Sequence, residues 1–328
     1  MNNPLDDVSG IMLVSALAVY AIAFIAFAFD LARRSAEVGV RQADAAAAST
    51  TAAQGGGVAT LVRTAPPANA PTGRRRPALR TAIALTILAW ALHLGADVLR
   101  GVAAGRVPWG NLYEFSMTAT LLIVGVFLLS LLRTDLTFLG APITALVLVL
   151  LGVSTVGFHV AVSPLPPALQ SYWLVIHVFV ATLGTAFFAL AGTLAAVQLV
   201  QSHRERRAAE GRPAERLRLM ATIPAADRLE ATTYRIAVIG FILWTFTLIA
   251  GSIWAEHAWG RYWGWDTKEV WTFIIWVIFA GYIHARATRG WRGGRSSVLA
   301  LIGFGAVLFN FGIVNVFFHG LHSYSGLK

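Results

Sequence analysis

The segment from Trp254 to Trp271, WAEHAWGRYWGWDTKEVW, sets five tryptophans, a tyrosine and a histidine around the charged residues Asp266, Lys268 and Glu269. Flat amphipathic indoles cover the face of a large planar ligand well, and they also suit the membrane–water interface. Interface tryptophans usually come singly or in pairs, so this cluster reads as a binding platform rather than a belt. Charge at this density keeps the segment itself out of hydrocarbon. Within it Gly260 and Gly264 permit a close turn, and Asp266 would hold a ligand edge or orient a neighbouring donor. Lys268 and Glu269 read either as part of the site or as an ion pair at a helix start.

The elements that must position these residues are membrane spans. Of 328 residues, 57% are hydrophobic and only 13% charged, the composition of an all-α polytopic integral membrane protein. The net charge of +10 does not indicate nucleic acid, because most arginines lie in short stretches beside apolar runs, where they report topology. Cysteine is absent, so this chain offers no disulfide, thiolate ligand or cysteine nucleophile; any thiol in its chemistry belongs to a partner or substrate. The first apolar run lacks a basic leading region and a clear small-residue cleavage site, and reads as a retained span rather than a signal peptide.

Eight spans of the roughly 20 residues a bilayer requires can be drawn: 10–29, 79–99, 116–132, 136–158, 172–200, 235–255, 270–285 and 297–317. Between them the loops at 30–80, 133, 201–235 and 286–296 carry 21 of the 26 Lys and Arg residues. By the positive-inside rule both termini, the Trp-rich segment and the tail after 318 then face outward from the plasma membrane. Residues 1–34 form the first span and its flanks, and 35–78, rich in Ala, Thr, Gly, Pro and Arg, read as a disordered cytoplasmic linker. Residues 79–328 form the working domain, with its outer segment at 254–271. The stretch 203–230 reads as a charged surface helix broken near Gly211 and Pro213. No Gly-rich phosphate loop is present.

Placed on this topology, the histidines separate. His177, in SYWLVIHVF, lies near the outer end of the fifth span, and His322, in HGLHSY, lies in the outer tail, so both share a side with the indoles. His284 ends the seventh span, about 27 Å along a helix from Asp266, and belongs near the inner leaflet. His93, mid-depth in the second span, reads first as a helix–helix hydrogen-bonding residue, with ligation as the alternative. His159, His203, His257 and His319 read as belt, surface or supporting residues. An iron porphyrin needs two axial donors, apolar and aromatic walls, and cations for its two propionates. The outer side offers His177 and His322 as donors, and Arg261, Lys268, Arg100 or Arg106 as cations. In PWGNLYEF, Asn111 and Glu114 either brace this pocket or simply start the third span.

Four separated motifs, PWGNLYEF at 108–115, SYWLVIHV at 171–178, WGRYWGWDTKEVW at 259–271 and GLHSY at 320–324, resemble the haem-handling proteins of cytochrome c biogenesis. The chain is most similar there to the CcsA/ResC component of the two-protein System II cytochrome c synthase, over about residues 80–328. The resemblance implies an outer site for haem b with iron ligated by His177 and His322 against Trp254, Trp259, Trp263 and Trp265, with Asp266 and Arg261 at its edges. It also implies an inner transmembrane site with His284 as one ligand, the second coming from a separate CcsB/ResB-type membrane partner or, within this chain, from His93. The implied activity is that of the haem-handling subunit of a haem lyase, which carries haem across or within the membrane and promotes its attachment to the Cys-x-x-Cys-His motif of apocytochrome c. Two other classes stand beside it. A dihaem cytochrome b-like quinol oxidoreductase would need paired histidines on neighbouring helices, for which only His284 and His93 are available. A haem-free transporter would use Asp266, Lys268 and Glu269 for a solute or proton.

Overall fold

The computed structural model describes residues 4–54, 76–165, 167–212, 215–318 and 320–322, and among these it contains helices and no strands. In chain order the helices are α1 (Pro4–Gln54), α2 (Pro77–Ala104), α3 (Leu112–Ser130), α4 (Gly140–Gly157), α5 (Tyr172–Ala209), α6 (Ala226–Trp259), α7 (Thr267–Arg289), α8 (Gly294–Phe311) and α9 (Ile313–Phe317). Short 3-10 turns lie at Thr137–Leu139, Pro167–Leu169 and Glu215–Thr222. Among the described residues, eight segments are long and apolar enough to cross a membrane, the last formed by α8 and α9 together. The chain is therefore a multi-pass membrane protein, as its hydropathy predicts.

The boundaries differ from expectation where local signals reach beyond the apolar run. The first helix does not stop near residue 34 but continues through Gln54, so 35–54 are helical. That continuation contains ADAAAAS and no proline, and alanine is the best helix former. Residues 55–75 of the expected linker lie outside the described residues. α5 likewise runs past its apolar part to Ala209, and α7 spans Thr267–Arg289 rather than 270–285 because its ends carry their own caps.

α5 is the central helix, packed on α3, α6 and α8, while α1 pairs with α2 and α4, and α7 packs on α6 and α8. Its buried face is mostly small: Gly184, Ala186, Ala189, Ala191, Gly192 and Ala195. Lipid tails are as apolar as leucine, so close van der Waals fit rather than water exclusion holds such helices together. The small face admits large partners. A Cβ at Gly192 would collide with the Phe304 ring, and one at Gly184 would touch Trp244. Phe188 of α5 stacks on Phe279 of α7 at 3.7 Å between ring centroids. Trp244 donates its indole N–H to the Thr272 carbonyl at 3.0 Å, and Trp276 donates to Thr245 Oγ1 at 3.0 Å, so these indoles tie α6 to α7 through polar groups as well.

The helices bring two kinds of residue to opposite ends. One end holds the pairs Asp30–Arg76 at 2.7 Å and Glu230–Arg286 at 2.7 Å and, among the described residues, has no tryptophan cluster. The other gathers the start of α3, the start of α5, the end of α6, the 260–266 loop, the start of α7 and the tail at 320–322. The candidate site lies at that end.

Candidate functional site

α6 ends because Gly260 adopts φ +68°, a conformation that residues with a Cβ rarely take, and its N–H closes on the Glu256 carbonyl. The chain then crosses Arg261–Trp265 and starts α7 with a capping box: Asp266 accepts from Lys268 N–H at 3.0 Å, while Glu269 Oε2 accepts from Asp266 N–H at 3.1 Å. The same Glu269 oxygen accepts from Gly264 N–H at 2.8 Å, folding the loop back on the helix start. A Cβ at Gly264 would run into the Arg261 guanidinium, which lies over this turn.

Asp266 also holds the tail. Its Oδ2 accepts from Leu321 N–H at 2.7 Å and its Oδ1 lies 3.1 Å from His322 Nδ1. Gly320 permits the approach, since a Cβ there would collide with the Asp266 carboxylate. The His322 hydrogen bond keeps the Asp266 carboxyl well below the usual carboxylate range, against the opposing effect of burial. On the facing helix, His177 Nδ1 lies 3.0 Å from the Thr247 carbonyl oxygen. A carbonyl or an ionised carboxylate can only accept, so each imidazole donates from Nδ1, which leaves Nε2 as the unprotonated nitrogen of the neutral ring.

Both rings line one cavity of about 160 Å³ that opens to solvent. Trp254, 1% exposed, joins them: it stacks on His177 (5.9 Å, 10° between planes) and meets His322 edge-on at 5.5 Å. Leu174, Val178, Phe115, Phe311 and Trp109 supply apolar wall, and Trp263 and Tyr262 stand on the loop side. Lys268 also faces the cavity, its Nζ donating to Asn315 Oδ1 at 2.6 Å. Two imidazoles whose Nδ1 is taken up by an acceptor, an indole wall and a half-buried cation form a set whose chemistry fits an iron porphyrin.

The other expected site residues fall in different places. Trp259 packs edge-on against His322 (4.8 Å) and Trp254 (4.7 Å), behind the cavity lining. Trp265 is 76% exposed with φ +59° and touches Trp263 edge-on. Arg261 lies on the loop, outside the lining. Arg100 and Arg106 are committed elsewhere: fully buried Arg100 pairs with Glu114 (3.0 Å) and Asp6 (2.6 Å), and Arg106 pairs with Glu114 (2.6 Å). They are not free cations for a propionate, a correction to the reading from charge and sidedness. Asn111 caps α3 by accepting from Glu114 N–H at 2.9 Å, so the helix-start reading of PWGNLYEF holds for it.

His284 sits near the other end of α7 with its side chain exposed on the bundle surface, whereas His93 is fully buried, edge-on to Tyr20 at 6.1 Å. α2 packs on α1 and α3 while α7 packs on α6, α8 and α9, so the structure does not bring His93 to His284. His159 packs on Tyr113, and His257 lies exposed beside Glu256. His319 lies outside the described residues. Thr247, Gly320, Asn315 and Asn310 were missed from sequence. The D-x-x-E capping signature at Asp266–Glu269 was the one legible hint to this arrangement; mid-span Thr247 and Asn310 carry no local signal.

Fold and site together define a polytopic helical membrane protein with a two-imidazole, tryptophan-walled cavity at one end of its bundle. Residues 109–322 match the family model described as cytochrome C assembly protein, and the chain belongs to that family. It is 35% identical over 243 residues to the cytochrome c biogenesis protein CcsA of Guillardia theta, covering 70% of this chain and 80% of that one. The CcsA proteins of Prochlorococcus marinus (36% over 251 residues, 69% and 78% covered) and Synechococcus elongatus (33% over 287 residues, 76% and 87%) are similarly related. This is a CcsA-type cytochrome c biogenesis protein. The fold also resembles that of the cytochrome c heme lyase CcmF, with a TM-score of 0.62 at 17% identity over 95% of this chain. The chain spans about half the length of that structure, 47%.

Proposed function

We propose that this chain presents haem b on the extracytoplasmic face of the plasma membrane, with both termini on that side, for covalent attachment to apocytochrome c. The observation that carries the proposal is the convergence of His177 and His322 on one cavity, each with Nδ1 bonded so that Nε2 is the ligating atom. Trp254 and Trp263 would wall the macrocycle, Trp259 would back His322, and Lys268 is the lining cation for a propionate, with Arg261 and Trp265 at the rim. Asp266 positions His322 and the tail rather than touching haem.

His284 would receive haem nearer the cytoplasm. Ionisable residues in spans rarely face lipid, and its exposed position suits a site completed by a CcsB/ResB-type membrane partner, while buried His93 is badly placed to complete it. The apocytochrome histidine would replace one axial ligand and its two cysteine thiols would add to the vinyl groups. Nothing favours the cytochrome b-like reading, which needs His93 and His284 together, or the transporter reading, since Asp266 is engaged by the α7 cap and the tail and Lys268 by Asn315.

In the complex with its partner, His177→Ala and His322→Ala should each leave the protein inserted yet deplete outer haem and abolish cytochrome c maturation, with added imidazole restoring part of it. Normal maturation by both variants, scored by covalent haem on a Cys-x-x-Cys-His acceptor, would reject the two ligands.

A further inference from the structure

Glu269 lines the cavity, and its Oε1 is buried without a partner among the described residues. Its sister Oε2 is fixed by two backbone N–H groups, so the side chain is held in one orientation. Asn310 Oδ1, also in the lining, has no donor among the described residues either, while its Nδ2 donates to Thr272 Oγ1 at 3.3 Å, about one turn along α7 from Glu269. Buried acceptors are nearly always met by a donor. Two such acceptors in one recess call for a ligand that brings O–H, N–H or S–H groups to them.

The titratable side chains lining the cavity among the described residues are His177, Tyr262, Lys268, Glu269 and His322. On the reading above the imidazoles hold iron; Lys268 is bonded to Asn315, and Tyr262, 63% exposed, stands at the mouth. Glu269 is the carboxylate left to move a proton. Thioether formation needs such a group. As a thiol adds to a vinyl, sulfur loses its proton and bonds to the vinyl carbon next to the porphyrin, the terminal carbon gains a proton and becomes methyl, and no electrons are gained or lost overall.

Resting on the proposed function, we infer that Glu269 is the acid–base group of this addition: Oε1 takes the thiol proton and returns it to the terminal vinyl carbon, while Asn310 Oδ1 accepts a hydrogen bond from the incoming peptide. The fixed Oε2 keeps the carboxylate oriented, which is what proton transfer in place requires.

Glu269→Gln tests this without dismantling the helix start, because the amide oxygen still accepts the two backbone N–H groups while the unpartnered atom changes from acceptor to donor. In the purified complex with its membrane partner, haem content and the reduced absorption spectrum should match the unsubstituted protein. Attachment to a reduced Cys-x-x-Cys-His peptide should slow by about 100-fold or more, with Glu269→Asp falling between. In the haem-free protein, the infrared carboxylate band absent from Glu269→Gln should shift when the reduced peptide is added. Attachment at full rate in Glu269→Gln, a loss of haem parallel to the loss of attachment, or a band indifferent to the peptide would each overturn the assignment. The ligand reading fails separately, if His177→Ala and His322→Ala keep outer haem regardless of what occurs at Glu269.

Discussion

The starts of α3 and α7 are built from the same local device and finished differently. Trp109-Gly110-Asn111 precedes Glu114 as Trp263-Gly264-Trp265-Asp266 precedes Glu269, with one residue, Trp265, added in the second. In both an Asx side chain caps the helix, and the glutamate Oε2 accepts the N–H of the preceding glycine at 2.8 Å. At Glu114 every remaining valence is closed: Arg100 and Arg106 grip both oxygens, and Asp6 and the Val160 carbonyl take the rest of the Arg100 fork. At Glu269, a cavity-lining residue, the second oxygen is buried with no partner among the described residues. A motif completed by arginine is structure, whereas the same motif left open is where a ligand enters.

The sharpest way to break this comparison is to remove the two glutamates in turn. Glu114→Ala strips a fully buried pair of its acid and leaves the Arg100 guanidinium under-compensated, at a cost of roughly 3–5 kcal/mol. Glu269→Ala loses backbone capping, about 1 kcal/mol. Denaturation midpoints of the solubilised protein should separate the two clearly. Equal losses would mean that Glu269 is as structural as Glu114.

The glycines extend the contrast to ligand binding. Gly320→Ala drives a methyl into the Asp266 carboxylate, so the tail must shift and the His322–Asp266 contact breaks. A hydrogen bond to a charged group is worth roughly 1.5–3 kcal/mol, so haem retention should fall by about 10- to 100-fold while the fold persists. Gly110→Ala presses only on the Arg106 and Leu165 side chains and should leave haem content unchanged. Haem stoichiometry after purification checks both.

Span number and helix class were legible because a bilayer imposes a length on apolar runs, and the shared side of His177, His322 and the indoles followed from where the arginines lie. The extent of α1 was not, because an alanine-rich stretch reads equally as linker or helix until its propensity is weighed. Arg100 and Arg106 misled for a physical reason. Sidedness places a cation at the correct end of the bundle, but only the packing of α1 and α3 on α2 reveals that Asp6 and Glu114 already neutralise it. The tail contact of Asp266 was hidden in the same way, since it joins residues far apart in sequence through a glycine that carries no chemical signature.

The cap residues should differ in acid sensitivity. Asn111 does not titrate, whereas the Asp266 carboxyl is held below its usual range by His322. A depressed carboxyl contributes fully above the ordinary carboxylate value of about 4 and loses that contribution as pH falls from there toward its lowered value. Unfolding midpoints from pH 7 down to pH 3 should therefore contain, below about pH 4, an increment of lost stability that Asp266→Asn lacks. At neutral pH the variant should be less stable by up to about 1 kcal/mol, the value of a negative charge at a helix start. An identical pH profile for the two proteins would show that His322 does not lean on this carboxylate.

Trp265, the residue by which the second motif exceeds the first, gives the smallest effect. Its φ of +59° is costly for a side chain with a Cβ, by about 1 kcal/mol, and glycine would relieve that. Glycine also frees the unfolded chain, which takes back about 0.4–1 kcal/mol. The two changes nearly cancel, so Trp265→Gly should alter the unfolding free energy by less than about 0.5 kcal/mol. Because the indole is 76% exposed and lies outside the cavity lining, haem content should be unchanged as well. A marked loss of haem in this variant would place the indole on the ligand when it is bound, and would make the added residue, rather than the open carboxylate, the functional difference between the two helix starts.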